Sequence, residues 1–290
     1  MSTPSIIDPE RYKAGQRQGW DSVSSGWQKW WKTVEAAGEK VSRRLIELAE
    51  IKEGSKVLDI ATGIGEPSIT AAHQVGKSGR VLAIDISPEM LSIAKKSAVS
   101  FGVQDIIEFR EGDTETIELP ISTFDAALCR FGLMFLPDLE TGLSNIYRSL
   151  KEGGRFAAAV LGSSDKVPFI SLALNIVIRE TNSPPPPANT PGPFSLSDEN
   201  FLKGSFVKSG FEDVTIEKLN MNFDFESAEA FTNFVCETVA PIESVLSNQS
   251  QERRTEILKA ITDESANRYG NNTSGSVNLS NEAICIVGRR

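Results

Sequence analysis

The sequence predicts a doubly wound α/β domain, and three observations predict it. Short apolar runs alternate with segments whose apolar residues recur at helical spacing. Glycines and prolines stand at the joints, where the chain must turn. Strands separated by helices must run parallel through right-handed crossovers, which covers both faces of the sheet with helix.

From Asp21 to Glu50 the residues Trp27, Trp30, Trp31, Val34, Val41, Leu45, Ile46 and Leu48 keep helical spacing, which predicts two helices or one broken near Gly38. Residues 56–60 (KVLDI) form an apolar run, followed by small residues and by Pro67, which suits the first position of a helix reaching about Val75 and stopped by Gly76. Residues 80–84 (RVLAI) give a second strand. Ser87 and Pro88 then open a helix as N-cap and first residue, with Met90, Leu91 and Ala94 as its inner stripe. The alternation continues with strands at 106–110 and 125–129, a helix over 138–150 and a strand at 155–161. A helical piece over 168–179 precedes residues 183–193, whose six prolines mark a loop over the sheet edge. The last third predicts a helix over 201–209, a strand at 214–219, helices between 227 and 269 and a strand at 283–287.

With 290 residues, 40% of them hydrophobic, the chain has the size of one main core with a small appendage. Its 39 acidic against 30 basic residues give a net charge of −9. That charge opposes a phosphate backbone, whose binding relies on basic side chains displacing counterions, so nucleic acid is not an expected partner. Cys129, Cys236 and Cys285 are far apart and form no C-x-x-C pair, which predicts neither a disulfide framework nor a metal site, and a cytoplasmic location. No apolar run reaches the ~20 residues that cross a bilayer, and the polar opening stretch lacks a signal-peptide core.

The chemistry is written at the strand ends. VLDIATGIG is a strand carrying Asp59 that passes into a loop of Ala61, Thr62, Gly63 and Gly65, where glycines let a ligand approach the backbone. A dinucleotide site would show G-x-G-x-x-G with the pyrophosphate at a helix N-terminus, but Ala61 stands at its first glycine and Glu66 would repel a phosphate. The loop suits a ligand with an amine and a carboxylate: Asp59 for the amine, directly or through water, and loop N–H groups for the carboxylate. Methionine's zwitterion has both. Asp85 ends the next strand, where a carboxylate accepts hydrogen bonds from both hydroxyls of a ribose; the alternative is a charge at a helix N-terminus that Ser87 already caps. After the third strand come Gly112, Asp113 and Thr114, where Asp113 accepts either from an exocyclic adenine amine or within an ordinary turn.

VLDIATGIG, GRVLAIDISPEMLSIAK, REGDTETIELP with STFDAALCRFGLMFLPD, and LKEGGRF resemble the successive motifs of class I, Rossmann-like S-adenosylmethionine-dependent methyltransferases. Within these the chain is most similar to the ubiquinone and menaquinone biosynthesis C-methyltransferase group and its relatives that methylate other small metabolites. The resemblance spans residues 56–161 and returns at SGFEDV and EAICIVGRR. It implies a seven-stranded sheet with the last strand antiparallel and S-adenosylmethionine lying across the carboxyl ends of the first, second and fourth strands. Asp59, Ala61, Thr62, Gly63 and Gly65 would surround the methionine part, Asp85 the ribose, Ile86 and Met90 the adenine face, and Gly112, Asp113 and Thr114 the adenine edge. Arg130 and Phe131 would lie near the transferred methyl. The resemblance further implies that an aromatic residue of the leader closes over the cofactor, with Trp27 and Trp31 as candidates; the alternative is that these tryptophans only anchor the leader.

The implied organisation is a helical N-terminal lid (1–50), a core (51–222 and 281–290, with 162–204 a proline-rich loop and part of the cap) and a helical cap insert (223–280) that helps to build the acceptor pocket. The tryptophan-rich leader and the insert depart from the quinone enzymes, which leaves a non-quinone acceptor open. The expected partner is a small-molecule acceptor and the expected assembly a monomer or homodimer. Displacement at a sulfonium needs positioning and exclusion of water and no covalent intermediate, and any base is a carboxylate or tyrosine of the cap. His73, the single histidine, reads as a partly buried helix-face residue, Cys129 as a buried filler, and Arg130 as a carboxylate binder or a plain strand-end charge. A noncatalytic adenosylmethionine-binding protein and an NAD(P)-dependent oxidoreductase remain as rivals.

Overall fold

A computed structural model describes residues 8–184, 187 and 190–290. Part of the proline-rich loop expected over 183–193, namely 185, 186, 188 and 189, lies outside the described residues, as do residues 1–7 of the expected lid.

Two leader helices, α1 (Pro9–Lys29) and α2 (Trp31–Leu48), precede an alternating series: β1 (Lys56–Ile60), α3 (Ser68–Val75), β2 (Arg80–Asp85), α4 (Pro88–Ser100), β3 (Ile107–Glu111), β4 (Phe124–Arg130), α5 (Leu139–Ser149) and β5 (Leu150–Leu161). Then follow α6 (Pro168–Thr181), α7 (Glu199–Lys208), β6 (Glu212–Phe225), α8 (Ala228–Thr238), α9 (Ala240–Leu246), α10 (Gln251–Tyr269) and β7 (Val277–Arg289). The seven strands form one sheet in the order β3-β2-β1-β4-β5-β7-β6, with β7 antiparallel to both neighbours and the inner strands parallel, as expected. Every residue of β1 and β2 beyond the first is buried. Such strands must be apolar on both faces, which is why they read as continuous runs and not as alternations.

The leader breaks at Trp30 and not near Gly38. Gly38 sits inside α2 because a Cβ there would come within 2.7 Å of Arg130 Nη1. The glycine makes room for a guanidinium. Pro67 caps α3 from just outside, one residue earlier than its expected place. The last two strands are longer than the apolar pattern suggested: beyond the sheet, residues 220–225 pair with 277–282 as a two-stranded ribbon, so the helices of the expected insert hang from a strand pair that enters it. There polar residues alternate with apolar ones, the period-2 pattern of a half-buried strand, which is not a continuous apolar run like those of the inner strands. The ribbon contributes Phe223, Phe225, Val277 and Leu279 to a second core shared by α6, α8, α9, α10 and the Val34–Ala37 face of α2.

The leader is bolted to this cap. Trp27 Nε1 donates to Thr238 O at 3.0 Å and Trp30 Nε1 to Glu237 Oε2 at 2.6 Å. Gly26 lies so near α8 that a Cβ would collide with the main-chain carbonyl of Glu237. Gly26→Ala should therefore destabilise the fold by about 1–3 kcal/mol, more than the helix-propensity gain of under ~1 kcal/mol returns. Thermal unfolding, with limited proteolysis to report release of α1, checks this. Among the described residues no helix is long and apolar enough to cross a membrane.

Candidate functional site

The parallel register sets the carboxyl ends of β1, β2, β3 and β4 side by side, pairing Ile60 with Ile84 and Asp85 with Glu111. After β1 the chain turns through positive φ at Ala61 (56°), Gly63 (56°) and Gly65 (118°). Ala61 is the unusual member, since its Cβ disfavours this region. Its space is made across the site by Gly132, where a second Cβ would strike that of Ala61. At Gly63 a Cβ would meet nothing within 4 Å, so open space lies beside that residue, while the N–H groups of Thr62, Gly63 and Gly65 are engaged by Ile84 O, Asp85 Oδ2 and Thr62 O.

Asp59 is fully buried. Its Oδ2 accepts from Ser68 Oγ at 2.6 Å, and Ser68 Oγ in turn accepts from Thr62 Oγ1 at 3.0 Å, which ties loop and helix to the strand. Its Oδ1 has no hydrogen-bond partner among the described residues. Buried polar atoms are nearly always paired, so an acceptor left open at a strand tip awaits a donor. Asp85, 7% exposed, spends one bond on each oxygen: Oδ2 accepts from Gly63 N–H at 2.7 Å and Oδ1 from Ser87 N–H at 2.9 Å. It thereby locks the glycine loop to the cap of α4, and each oxygen keeps further acceptor capacity. Ser87 caps α4 as expected, accepting from Met90 N–H, while its hydroxyl donates to Asp21 of α1. Ile86 is half-buried, and Met90 packs with Val23, Ile64 and Ile93.

Other candidates are already engaged. Asp113 Oδ1 accepts from Glu115 N–H, Oδ2 accepts from Thr116 Oγ1, and Oδ2 pairs with Lys13 of α1 at 2.7 Å; Lys13 also reaches Glu115 at 2.6 Å. The turn geometry allowed for Asp113 is present, with a lysine added. Gly112 is small for an internal reason, because a Cβ would run into Ile117. Thr114 is buried and its carbonyl accepts from Asn145 Nδ2. Arg130, expected to bind a ligand carboxylate or to be a plain strand-end charge, grips Glu35 of α2 through Nη2 at 2.7 Å and Nη1 at 3.1 Å, and donates to Ser42 Oγ at 2.9 Å. Its fork is committed inside the protein. Phe131 holds φ at 63°, a strained value for a bulky residue and one that clusters at functional sites. Trp27 and Trp31 both pack against the cluster around Met90, Trp27 with its N–H turned to the cap and Trp31 against Phe101. His73 is exposed, not partly buried. Cys129 is the buried filler expected, and burial pushes its thiol up to about 12.

Lys13, Trp20, Asp21 and Glu35 also stand here; Trp20 and Asp21 open the segment WDSVSSGWQKWW, which resembles the family's lid and from which Trp27 and Trp31 are the expected candidates. Trp20 meets Phe135 edge-on at 5.3 Å and Trp27 at 6.0 Å. Lys13, Trp20 and Trp27 recur every seven residues, so a helical stripe continued upstream of Asp21 is the signal that would have found two of them.

Desolvation dominates the electrostatics. Burial raises Asp59 to about 6 against the opposing pull of Ser68, Thr62 and Arg130, and raises Asp85 to about 6 although three backbone N–H groups oppose it. Burial likewise lifts Glu66 to about 7, with Arg130 pulling the other way. A folded chain that binds these protons more tightly than the unfolded chain gains stability as pH falls, and loses it as pH rises through about 6 to 7. The ligand-free protein should thus melt higher at pH 5.5 than at pH 8. The ion-paired carboxylates Asp125 and Glu217, held below their ordinary range, act only in more acid solution. Calorimetric melts of the wild type and of Asp85→Asn across this window check the trend, which should flatten in the variant.

The chain matches the model of the ubiE/COQ5 methyltransferase family over residues 21–178. It is 30% identical over 210 residues to the ubiquinone/menaquinone biosynthesis C-methyltransferase UbiE of Azotobacter vinelandii, covering 69% of this chain and 78% of that protein. With the enzyme of the same name from Pseudomonas fluorescens it shares 34% identity over 135 residues, and the match spans about half of each protein, 47% and 49%. A phosphoethanolamine N-methyltransferase 2 of Haemonchus contortus superposes over 99% of this chain and 61% of its own at a TM-score of 0.57 and 16% identity. A solved structure from Bacillus halodurans superposes over 86% of this chain and 97% of its own at a TM-score of 0.55 and 20% identity. These two share the fold.

Proposed function

We propose, from the premise that this chain belongs to the ubiE/COQ5 methyltransferase family, that it moves a methyl group from S-adenosylmethionine to a small-molecule acceptor by in-line displacement. The observation that carries the reading is the open, buried Oδ1 of Asp59 beside a glycine loop whose face at Gly63 is bare. An ammonium group is the donor such an atom fits. The loop N–H groups of Thr62, Gly63 and Gly65, expected to receive the carboxylate, already donate to Ile84 O, Asp85 Oδ2 and Thr62 O, so Gly63 offers the ligand close approach and not a free donor. S-adenosylmethionine, when bound, supplies an electrophilic methyl carbon on a positively charged sulfur.

The residues divide the remaining work. Asp59, Ala61, Thr62, Gly63 and Gly65 hold the amino-acid end, and Asp85 offers its remaining acceptor capacity to the ribose. Ile86 and Met90 form the wall for the base, whose edge lies toward Gly112, Asp113 and Thr114. Helix α1 acts as the lid: Lys13 on Asp113, Arg17 on Glu111 at 2.7 Å, Asp21 on Ser87 and Trp20 on Phe135 fasten it over the tips of β2, β3 and β4. A closed lid excludes water, which would otherwise compete at the electrophile. Trp27 and Trp31 serve the lid by anchoring it, and Arg130 braces α2 beneath it. The half-buried Phe131 and the cap helices face the acceptor.

The named relatives make quinols and phenols the first acceptors to test, with amines as the second class of the panel. The reading carries with it a cytoplasmic enzyme, supported by three cysteines that form no disulfide. Purified chain incubated with methyl-labelled S-adenosylmethionine and such a panel should form S-adenosylhomocysteine with at least one acceptor. Binding without turnover on every acceptor would favour a noncatalytic role, and preference for a nicotinamide dinucleotide would overturn the reading.

A further inference from the structure

Glu66 follows the glycine loop, and its carboxylate is held at one oxygen. Oε2 accepts from Thr70 Oγ1 at 2.7 Å and from Thr70 N–H at 3.4 Å, and no ion pair reaches the residue among those described. The positive charge whose field it feels is Arg130, and that guanidinium is already neutralised by both oxygens of Glu35. Asp59 and Asp85 have no cationic partner within ion-pair distance among the described residues either, and Arg130 acts on Asp59 from the same committed position. The Arg130–Glu35 pair cancels, so the buried Asp59 and Asp85 and the half-buried Glu66 have no cation to balance them among the described residues. Buried charge of one sign is costly unless protons or a ligand of the opposite sign relieve it. The unpartnered Oδ1 of Asp59 independently indicates that a ligand donor completes the cluster.

We propose that Glu66 is a specificity-determining residue that distinguishes the methyl donor from its spent product, its carboxylate being balanced by the sulfonium charge and left unbalanced by the neutral thioether. The inference rests on the function proposed above. At neutral pH S-adenosylmethionine carries a carboxylate, an ammonium and a sulfonium, a net single positive charge; S-adenosylhomocysteine carries only the first two. Asp59 answers the ammonium and Asp85 the ribose, so Glu66 is the acid that remains for the sulfonium. As the methyl leaves with the acceptor, the carbon–sulfur bond's electron pair stays on sulfur, the ligand loses its net charge, and Glu66 regains its desolvation penalty. Product release is thereby favoured.

The test is isothermal titration of the full-length chain with S-adenosylmethionine and with S-adenosylhomocysteine, for the wild type and for Glu66→Gln, which keeps an acceptor for Thr70. The variant should lose about tenfold or more in affinity for the sulfonium ligand and change little toward the thioether, so that the ratio of the two Kd values shifts at least about tenfold toward product. Both ligands binding the variant with the wild-type ratio overturns the inference. Failure of both to bind the wild type would instead sink the methyl-donor reading. Should the variant not fold, sinefungin, whose ammonium stands in place of the methylsulfonium, is titrated into the wild type. Affinity tracking S-adenosylmethionine supports the inference, and affinity equal to that of S-adenosylhomocysteine refutes it.

Discussion

Replacing Asp85 with alanine should weaken S-adenosylmethionine binding by about a hundredfold or more, measured by calorimetry at pH 7.5, equivalent to roughly 2.8 kcal/mol. The loss has two sources. A hydrogen bond to a charged group contributes about 1.5–3 kcal/mol, and the ribose would lose that partner outright. The substitution also orphans the N–H groups of Gly63 and Ser87, which now converge on the two oxygens of Asp85, so the loop that carries the amino-acid end would lose its attachment to α4. Asp85→Asn retains the shape and one acceptor and should fall between the two. Ser87→Ala removes the cap and the contact to Asp21 but leaves the carboxylate, and should cost about 1 kcal/mol of stability with a smaller change in affinity. Unchanged affinity in Asp85→Ala would displace the ribose from this strand tip.

Arg130→Met should cost stability, up to about 3–5 kcal/mol, because it strands the half-buried Glu35 without its partner. The guanidinium is 8% exposed and makes two bonds to that carboxylate and one to Ser42, so its removal unfastens α2 from the tip of β4. The double variant Arg130→Met/Glu35→Met removes both charges and should recover most of the loss, since a buried pair replaced as a unit is often nearly neutral. Chemical denaturation of the two variants checks this. If Arg130 instead served as the clamp for a ligand carboxylate, the single variant would fold with near wild-type stability and show its defect as a raised KM.

The core of the fold was legible because a doubly wound sheet writes itself as apolar runs separated by helix. Residues 56–60 and 80–84 came within one residue of β1 and β2, and Ser87 with Pro88 marked the start of α4 to the residue. Long-range consequences were not legible. Gly38 reads as a helix breaker, yet it is an allowance for a guanidinium 92 positions later, a requirement with no local trace. The ribbon of residues 220–225 with 277–282 is different: its alternation of polar and apolar residues is the signature of a half-buried strand, readable in the sequence but unlike the continuous apolar runs of the inner strands. At the site, strand-end acids could be found because their position follows from the alternation itself. Their pairings could not: a helical stripe places Lys13 on the leader's inner face, but that it meets Asp113, that Asp21 meets Ser87 and that Glu35 meets Arg130 depends on how the leader docks on the cap through Gly26 and Glu237. Arg130 shows the limit plainly, since a charged residue at a strand tip looks the same in sequence whether it faces a ligand or a neighbouring helix.

The central claim is that a sulfonium nucleoside lies across the ends of β1, β2 and β3 beneath α1. Hydrogen–deuterium exchange of the purified protein, with and without saturating S-adenosylmethionine, tests it most directly. Slowed exchange confined to peptides covering residues 59–66, 85–90 and 111–115 and to α1 is the predicted result. Protection elsewhere, with those four segments unchanged at saturation, would contradict it.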